Sequence, residues 1–202
     1  MAFSFFSSRK KKSPEARFWT WFEKNQDMLF SFERDTERTF NKLAGEMSKV
    51  HGDLTFEFGP DRDGVREFVI SAGGMLDAFP TVELLHDSAP DLKRWMFTKF
   101  RPRRTPMTIK MDTVEIEPSD IEVAVEADGD KAGFTVFVKG YDESRKSLFD
   151  HAAFIMLDQA IGEYDMETRV GFIDIQPFER PAEYRRHSLE NLPGMFDAFL
   201  ES

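Results

Sequence analysis

The chain has 202 residues, no cysteine and a net charge of −10, with 41% hydrophobic and 32% charged residues. That length buries a core without a metal or disulfide staple, and the missing cysteine excludes disulfides, zinc–thiolate sites, iron–sulfur clusters and a Cys nucleophile. The acidic balance disfavours a nucleic-acid coat, and no stretch approaches the ~20 consecutive apolar residues of a membrane-spanning helix.

The first residues, Met1 to Lys12, place a short apolar run before a Lys cluster. A secretory leader has the reverse order and a longer apolar stretch, so 1–12 reads as a flexible N-terminus. Ser13-Pro14-Glu15 is a helix start, with Ser as the cap, Pro at the first helical position and Glu near the positive end of the dipole. This helix carries Phe18, Trp19, Trp21 and Phe22, which points to core packing or to a face used for dimerisation. A second helix starts near Asp35-Thr36. Its buried stripe is Phe40, Leu43, Met47 and Val50, and Gly52 follows its end.

Next comes a first ββαβ unit, over 53–104. Leu54 to Phe58 alternates apolar and polar, Gly59 to Gly64 is turn chemistry, and Phe68-Val69-Ile70 is an apolar run suited to a central strand. Phe79 to His86 reads as a short helix, and Trp95 to Phe100 as a strand. A linker rich in Pro and Arg leads into 105–120, which carries short strands.

A second ββαβ unit occupies 121–178. Ile121, Val123 and Val125 alternate with Glu122, Ala124 and Glu126, so one sheet face is expected to be exposed and acidic. Asp128 to Gly133 supplies a turn, and Glu143 to Ile161 the longest helix. At ~100° per residue, Phe149, Ala152, Ala153, Met156, Leu157 and Ala160 share one face. Asp150, His151, Asp158 and Gln159 fall on the other, toward solvent. Val170 to Ile175 closes the unit, and 179–202 reads as a helical tail.

The expected fold is therefore α+β. Two ββαβ-like units form an antiparallel or mixed sheet with helices packed on it, preceded by a helical segment over 13–52, in one compact domain. The 22 Phe against 3 Tyr and 3 Trp should be mostly core, because Phe has no polar handle.

Site signals are sparse. The Asp-rich turns at 61–64 and 128–130 lack the ligand spacing of a calcium loop, and Asp and Gly are ordinary turn residues. The four histidines have no metal-ligand spacing, and there is no P-loop, GxGxxG or GxSxG. No metal and no cofactor is expected. The strongest local departure from the acidic average is Lys93, Arg94, Lys99, Arg101, Arg103, Arg104 and Lys110, with Trp95, Phe97 and Phe100 interleaved. Arginines beside aromatics suit an anionic ligand or partner, although they equally suit pairing with the protein's own carboxylates. Glu163 and Asp165 stand at a helix–strand junction, a common location for sites.

The leading expectation is a cytoplasmic, non-enzymatic binding or interaction domain. Its candidate ligand-binding residues are Trp95, Lys99, Arg101, Arg103, Arg104, Glu163 and Asp165, with a small anionic ligand or a protein as partner. A hydrolase-like carboxylate/His site at the junction of the two units, and a homodimeric structural protein, are the alternatives.

Leu157 to Asp165 with Val170 to Ile173 resembles the closing helix and strand of a bacterial protein family of unknown function. Leu54 to Pro60, Glu67 to Ala72, Phe79-Pro80, Ala89-Pro90 and Trp95 to Arg104 are similar to the middle of that family. The resemblance implies a bacterial, cytoplasmic α+β protein and brings no activity or site residues with it.

Overall fold

The structure is a computed structural model and describes residues 12–181, 183 and 185–201. The N-terminal stretch read as flexible lies, up to residue 11, outside the described residues. The fold is α+β, and its strands fall into separate sheets of three, two and four strands. The chain divides into two compact units. The first takes the described residues up to Ala72 together with Asp77–Phe97, and the second takes Gly73–Leu76 and Thr98 onward. The division falls inside the strand expected to close the first ββαβ unit, and the segment read as a linker belongs wholly to the second unit.

In the first unit, helix α1 spans Pro14–Phe30. The Ser13 hydroxyl accepts from the Ala16 amide at 3.2 Å, which caps one of the free N–H groups of the first turn. Helix α2, Thr36–Met47, is capped in the same way by Asp35. Strands β1, Thr55–Arg62, and β2, Val65–Ser71, pair antiparallel, followed by helix α3, Phe79–Asp87, and strand β3, Trp95–Lys99. The sheet order is β1-β2-β3.

The Phe-rich composition becomes an aromatic core here. Phe22 lies 5.1 Å from Phe68 and 4.9 Å from Trp95, and Phe58 lies 5.4 Å from Phe68, all by ring centroid. Phe18, Trp19 and Phe22 of α1 are buried, so that helix uses its aromatics inward, with Trp21 half-buried. The Phe22–Trp95 pair is edge-to-face, an arrangement that adds about 0.5–1.5 kcal/mol beyond the area it buries. Arg66 is buried within this core. Its guanidinium sits 4.7 Å from the Phe32 ring and donates to Glu33 at 2.6 Å. That contact contributes to holding the Glu33 carboxyl below its ordinary pKa, after the larger effect of a backbone hydrogen bond.

The second unit begins with a hairpin, β4 Ile109–Met111 and β5 Val114–Ile116. Strands β6, Ile121–Asp128, and β7, Lys131–Val138, form a second hairpin. A single 3-10 turn, Glu143–Arg145, precedes helix α4, Lys146–Ile161, so the segment expected as the longest helix is 16 residues against 17 for α1. Helix α5, Glu163–Arg169, follows directly, then β8, Val170–Pro177, β9, Arg186–Ser188, and α6, Leu192–Leu200. The sheet order is β8-β7-β6-β9, with β8 parallel to β7 and the other pairs antiparallel. The tail read as helical therefore also contributes an edge strand.

Alternation along these strands sorts the two faces. Val123, Phe134 and Val136 join Ala152, Ala153, Met156 and Leu157 of α4 and Leu192 and Phe196 of α6 in one apolar core. The opposite face carries Glu122, Glu126, Thr135, Asp174 and Gln176. It is the acidic face that the alternation of 121–126 predicts. Among the described residues no helix is long and apolar enough to cross a membrane.

Candidate functional site

The segment that follows β3 is fastened over the α4–α5 corner by two arginines. Arg101 Nε donates to Asp158 Oδ2 at 2.8 Å and its Nη2 to Asp158 Oδ1 at 2.9 Å, a bidentate pair. Its main chain joins the same corner. The Arg101 amide donates to Glu163 Oε2 at 3.0 Å, and the Glu163 amide donates to the Arg101 carbonyl at 3.0 Å. Glu163 Oε1 accepts from the Gly74 amide at 3.0 Å. Glu163 is fully buried, and its polar needs are met there by the Gly74 and Arg101 amides, with the Arg101 guanidinium 3.7 Å away.

Arg103 repeats the arrangement one step along. Its Nη1 and Nη2 donate to the two oxygens of Asp197 at 2.8 Å, and Nη2 also reaches Asp165 Oδ2 at 2.7 Å. Its Nε donates at 3.0 Å to the Ile161 carbonyl, an acceptor left open at the end of α4. Hydrogen bonding to Asp197 raises the Arg103 pKa above its already high ordinary value and holds the Asp197 carboxyl below the usual carboxylate range. Two further bonds complete the strap: the Arg104 amide to the Gln159 carbonyl at 2.7 Å, and the Met107 amide to Gln159 Oε1 at 2.9 Å.

Gly162 permits this close approach. It has φ +82° and ψ 153°, a region open essentially to glycine alone. A Cβ there would lie 3.2 Å from both the Arg101 carbonyl oxygen and the Arg103 amide nitrogen.

Among the candidate residues, Arg101 comes together with Glu163, and Arg103 with Asp165. Lys99 and Arg104 are exposed. Trp95 is buried in the core of the first unit, against Phe22, Phe30 and Phe58. Asp158 departs from expectation: the helical projection assigns it to solvent, yet it is 7% exposed because the 101–107 strap lies over that side of α4. Asp158, Gln159 and Asp197 complete the cluster without any signal in the sequence beyond being polar. Glu167 of α5 stands beside the same carboxylates. Its pKa is raised, first by burial and then by the charges of Asp158 and Glu163.

A second feature lies on the acidic face of the four-stranded sheet. Ala124, Glu126, Thr135, Phe137, Asp174 and Gln176 floor a hollow of about 200 Å³, walled by Arg180, Pro181 and Glu183. Strand register explains the floor: Ala124 pairs with Thr135, and Thr135 with Asp174, so these side chains rise from one face in adjacent rows. Thr135 donates to Glu126 at 3.3 Å, the Gln176 amide donates to the Asp174 carboxylate, and Arg180 donates to Gln176 Oε1 at 2.7 Å. Arg186 covers one end, its guanidinium 3.5 Å from the centre of the Phe137 ring, which explains why a Phe on this polar face is buried.

None of the four histidines lines this hollow. His86 Nδ1 is 3.0 Å from Asp87 Oδ1, a contact between chain neighbours at the end of α3. Among the described residues no three His, Asp or Glu side chains converge as metal ligands. No family model, no curated protein and no solved structure matches the chain.

Proposed function

We propose that this chain is a binding module that recognises a polar ligand or a protein partner through the open face of its four-stranded sheet. The observation that supports this most directly is the hollow over Glu126, Thr135, Asp174 and Gln176. Three carboxylates, Glu126, Asp174 and Glu183, outnumber the guanidiniums of Arg180 in the lining and Arg186 at one end, so the ligand that fits carries N–H donors and positive charge. The cysteine-free sequence supports a reducing, cytoplasmic setting.

The anionic-ligand reading of Trp95, Lys99, Arg101, Arg103, Arg104, Glu163 and Asp165 remains a second proposal on a narrower base. It is favoured by the exposure of Lys99 and Arg104. It is opposed by the carboxylates already surrounding Arg101 and Arg103, which repel an incoming anion.

Amide NMR titration separates the two. Spermidine and arginine are expected to shift signals of residues 124–137 and 174–183, and the double variant E126Q/D174N should abolish those shifts. Phosphate and citrate shifting residues 99–104 instead, with no response to the amines, would overturn the sheet-face reading in favour of the basic segment.

A further inference from the structure

An exposed sheet edge presents unpaired N–H and C=O groups that template another strand, and natural sheets blunt their edges against this. Of the four edges of the three- and four-stranded sheets, three are blunted. Strand β1 carries Pro60 and a register shift between Phe58 and Asp61. Strand β3 is five residues long and ends in Lys99, and β9 is only three residues long.

Strand β8 is different. It spans eight residues and pairs on one side only, with β7. A bulge at Gly171 and a terminal Pro177 bound an inner run, Phe-Ile-Asp-Ile-Gln over 172–176, with no Pro, Lys or Arg. Among the described residues, no backbone group of 171–176 makes a hydrogen bond beyond the sheet. Phe172 is 38% exposed over the Gly133 backbone, and Ile173 and Ile175 are half-buried, whereas Phe134 and Val136 beside them on β7 are fully buried. The apolar layer of the unit therefore runs out to this edge through Ile173 and Ile175, which pack against the core, while Phe172 lies on the opposite, polar face.

We propose that β8 pairs antiparallel with β8 of a second copy of this chain, about a two-fold axis at Ile173, joining two four-stranded sheets into one of eight strands. Two arguments select a second copy. A two-fold pairing consumes both long free edges at once and leaves only the short β9 at each end, so assembly closes at the dimer. The face-preserving register centred on Ile173 sets Asp174 opposite Phe172 of the other copy, with no like charges opposed, and extends the apolar row of Ile173 across the junction, with Ile175 opposite Gly171. Centring on Asp174 instead would oppose two carboxylates. This inference does not rest on the ligand reading of the hollow: β8 supplies Asp174 and Gln176 to its floor, but Phe172, the residue varied below, is not part of its lining.

The test is sedimentation velocity of the full chain from about 1 µM to about 1 mM, with amide hydrogen exchange measured at both ends of the range. The expected result is a reversible dimer whose formation slows exchange in residues 171–176. The F172D variant, which sets a second carboxylate opposite each Asp174 of the other copy, should weaken the dimer by at least about tenfold. A monomer at every concentration overturns the proposal. So does a dimer that F172D leaves unchanged, or wild-type exchange protection that grows elsewhere and not at 171–176; this last readout needs no variant to fold.

Discussion

Replacing Arg101 by Leu tests whether the strap is held electrostatically. Arg101 is the guanidinium that both Asp158 and Glu163 face, with side-chain exposures of 22%, 10% and 0% in that order. The R101L variant keeps much of the apolar stem but leaves two buried carboxylates with less compensation. Removing one partner of a buried pair costs about 3–5 kcal/mol, because the abandoned charge remains desolvated. For a chain of this length 1 kcal/mol corresponds to about 2–4 °C, so the midpoint should fall by on the order of 10 °C. Urea denaturation and calorimetry measure both quantities. The double variant R101L/D158L removes charge from both sides and should recover much of the loss, since a buried pair replaced by apolar groups is often neutral. R101K should fall between, retaining the charge but losing the two-pronged geometry. A loss below about 1 kcal/mol for R101L would refute the reasoning, as it would mean that solvent already compensates Asp158 and Glu163.

Two further outcomes follow from the same physics. The Glu167 pKa lies above its ordinary value, so its charged form is disfavoured in the fold and its ionisation costs stability at neutral pH. E167Q should be more stable than wild type at pH 7, and the advantage should shrink as pH falls toward 4.5, the ordinary value, because folded wild-type Glu167 takes up its proton above it; melting temperatures across that range check the sign. Trp19 and Trp95 are both buried, but Trp19 Nε1 donates to the Leu85 carbonyl at 2.8 Å, while Trp95 Nε1 has no partner among the described residues. W19F should therefore cost about 1–3 kcal/mol more than W95F in denaturant titrations, because it strands a buried carbonyl.

The fold was legible wherever a residue pattern answers to one element. Ser13 and Asp35 mark helix starts by chemistry that needs no tertiary partner, and the alternation at 121–126 reports the two faces of β6 directly. Where structure depends on a second element, the pattern is silent. The projection of α4 gives Asp158 to solvent because a helix wheel carries no information about a strap arriving from residues 101–107. Arg101, Arg103, Glu163 and Asp165 stand out separately, by composition and by their place at a junction. Their pairing spans some 60 positions and could not be read locally. Gly162 looks like a helix end and is one. That α5 restarts at the next residue depends on Glu163 binding amides from two distant segments. Strand β9 is too short to carry any periodicity.

The four residues 73–76 belong to the second unit although the chain on either side of them belongs to the first. The polypeptide thus passes from one unit to the other three times, at 72/73, 76/77 and 97/98. A C-terminal fragment starting at residue 98 would omit Gly74, and with it the amide that Glu163 Oε1 accepts from across 89 positions. During synthesis the same bond cannot form until Glu163 has left the ribosome, long after Gly74 has emerged. The second unit is therefore a late-closing one, and the chain has no single scissile point that would release both halves intact.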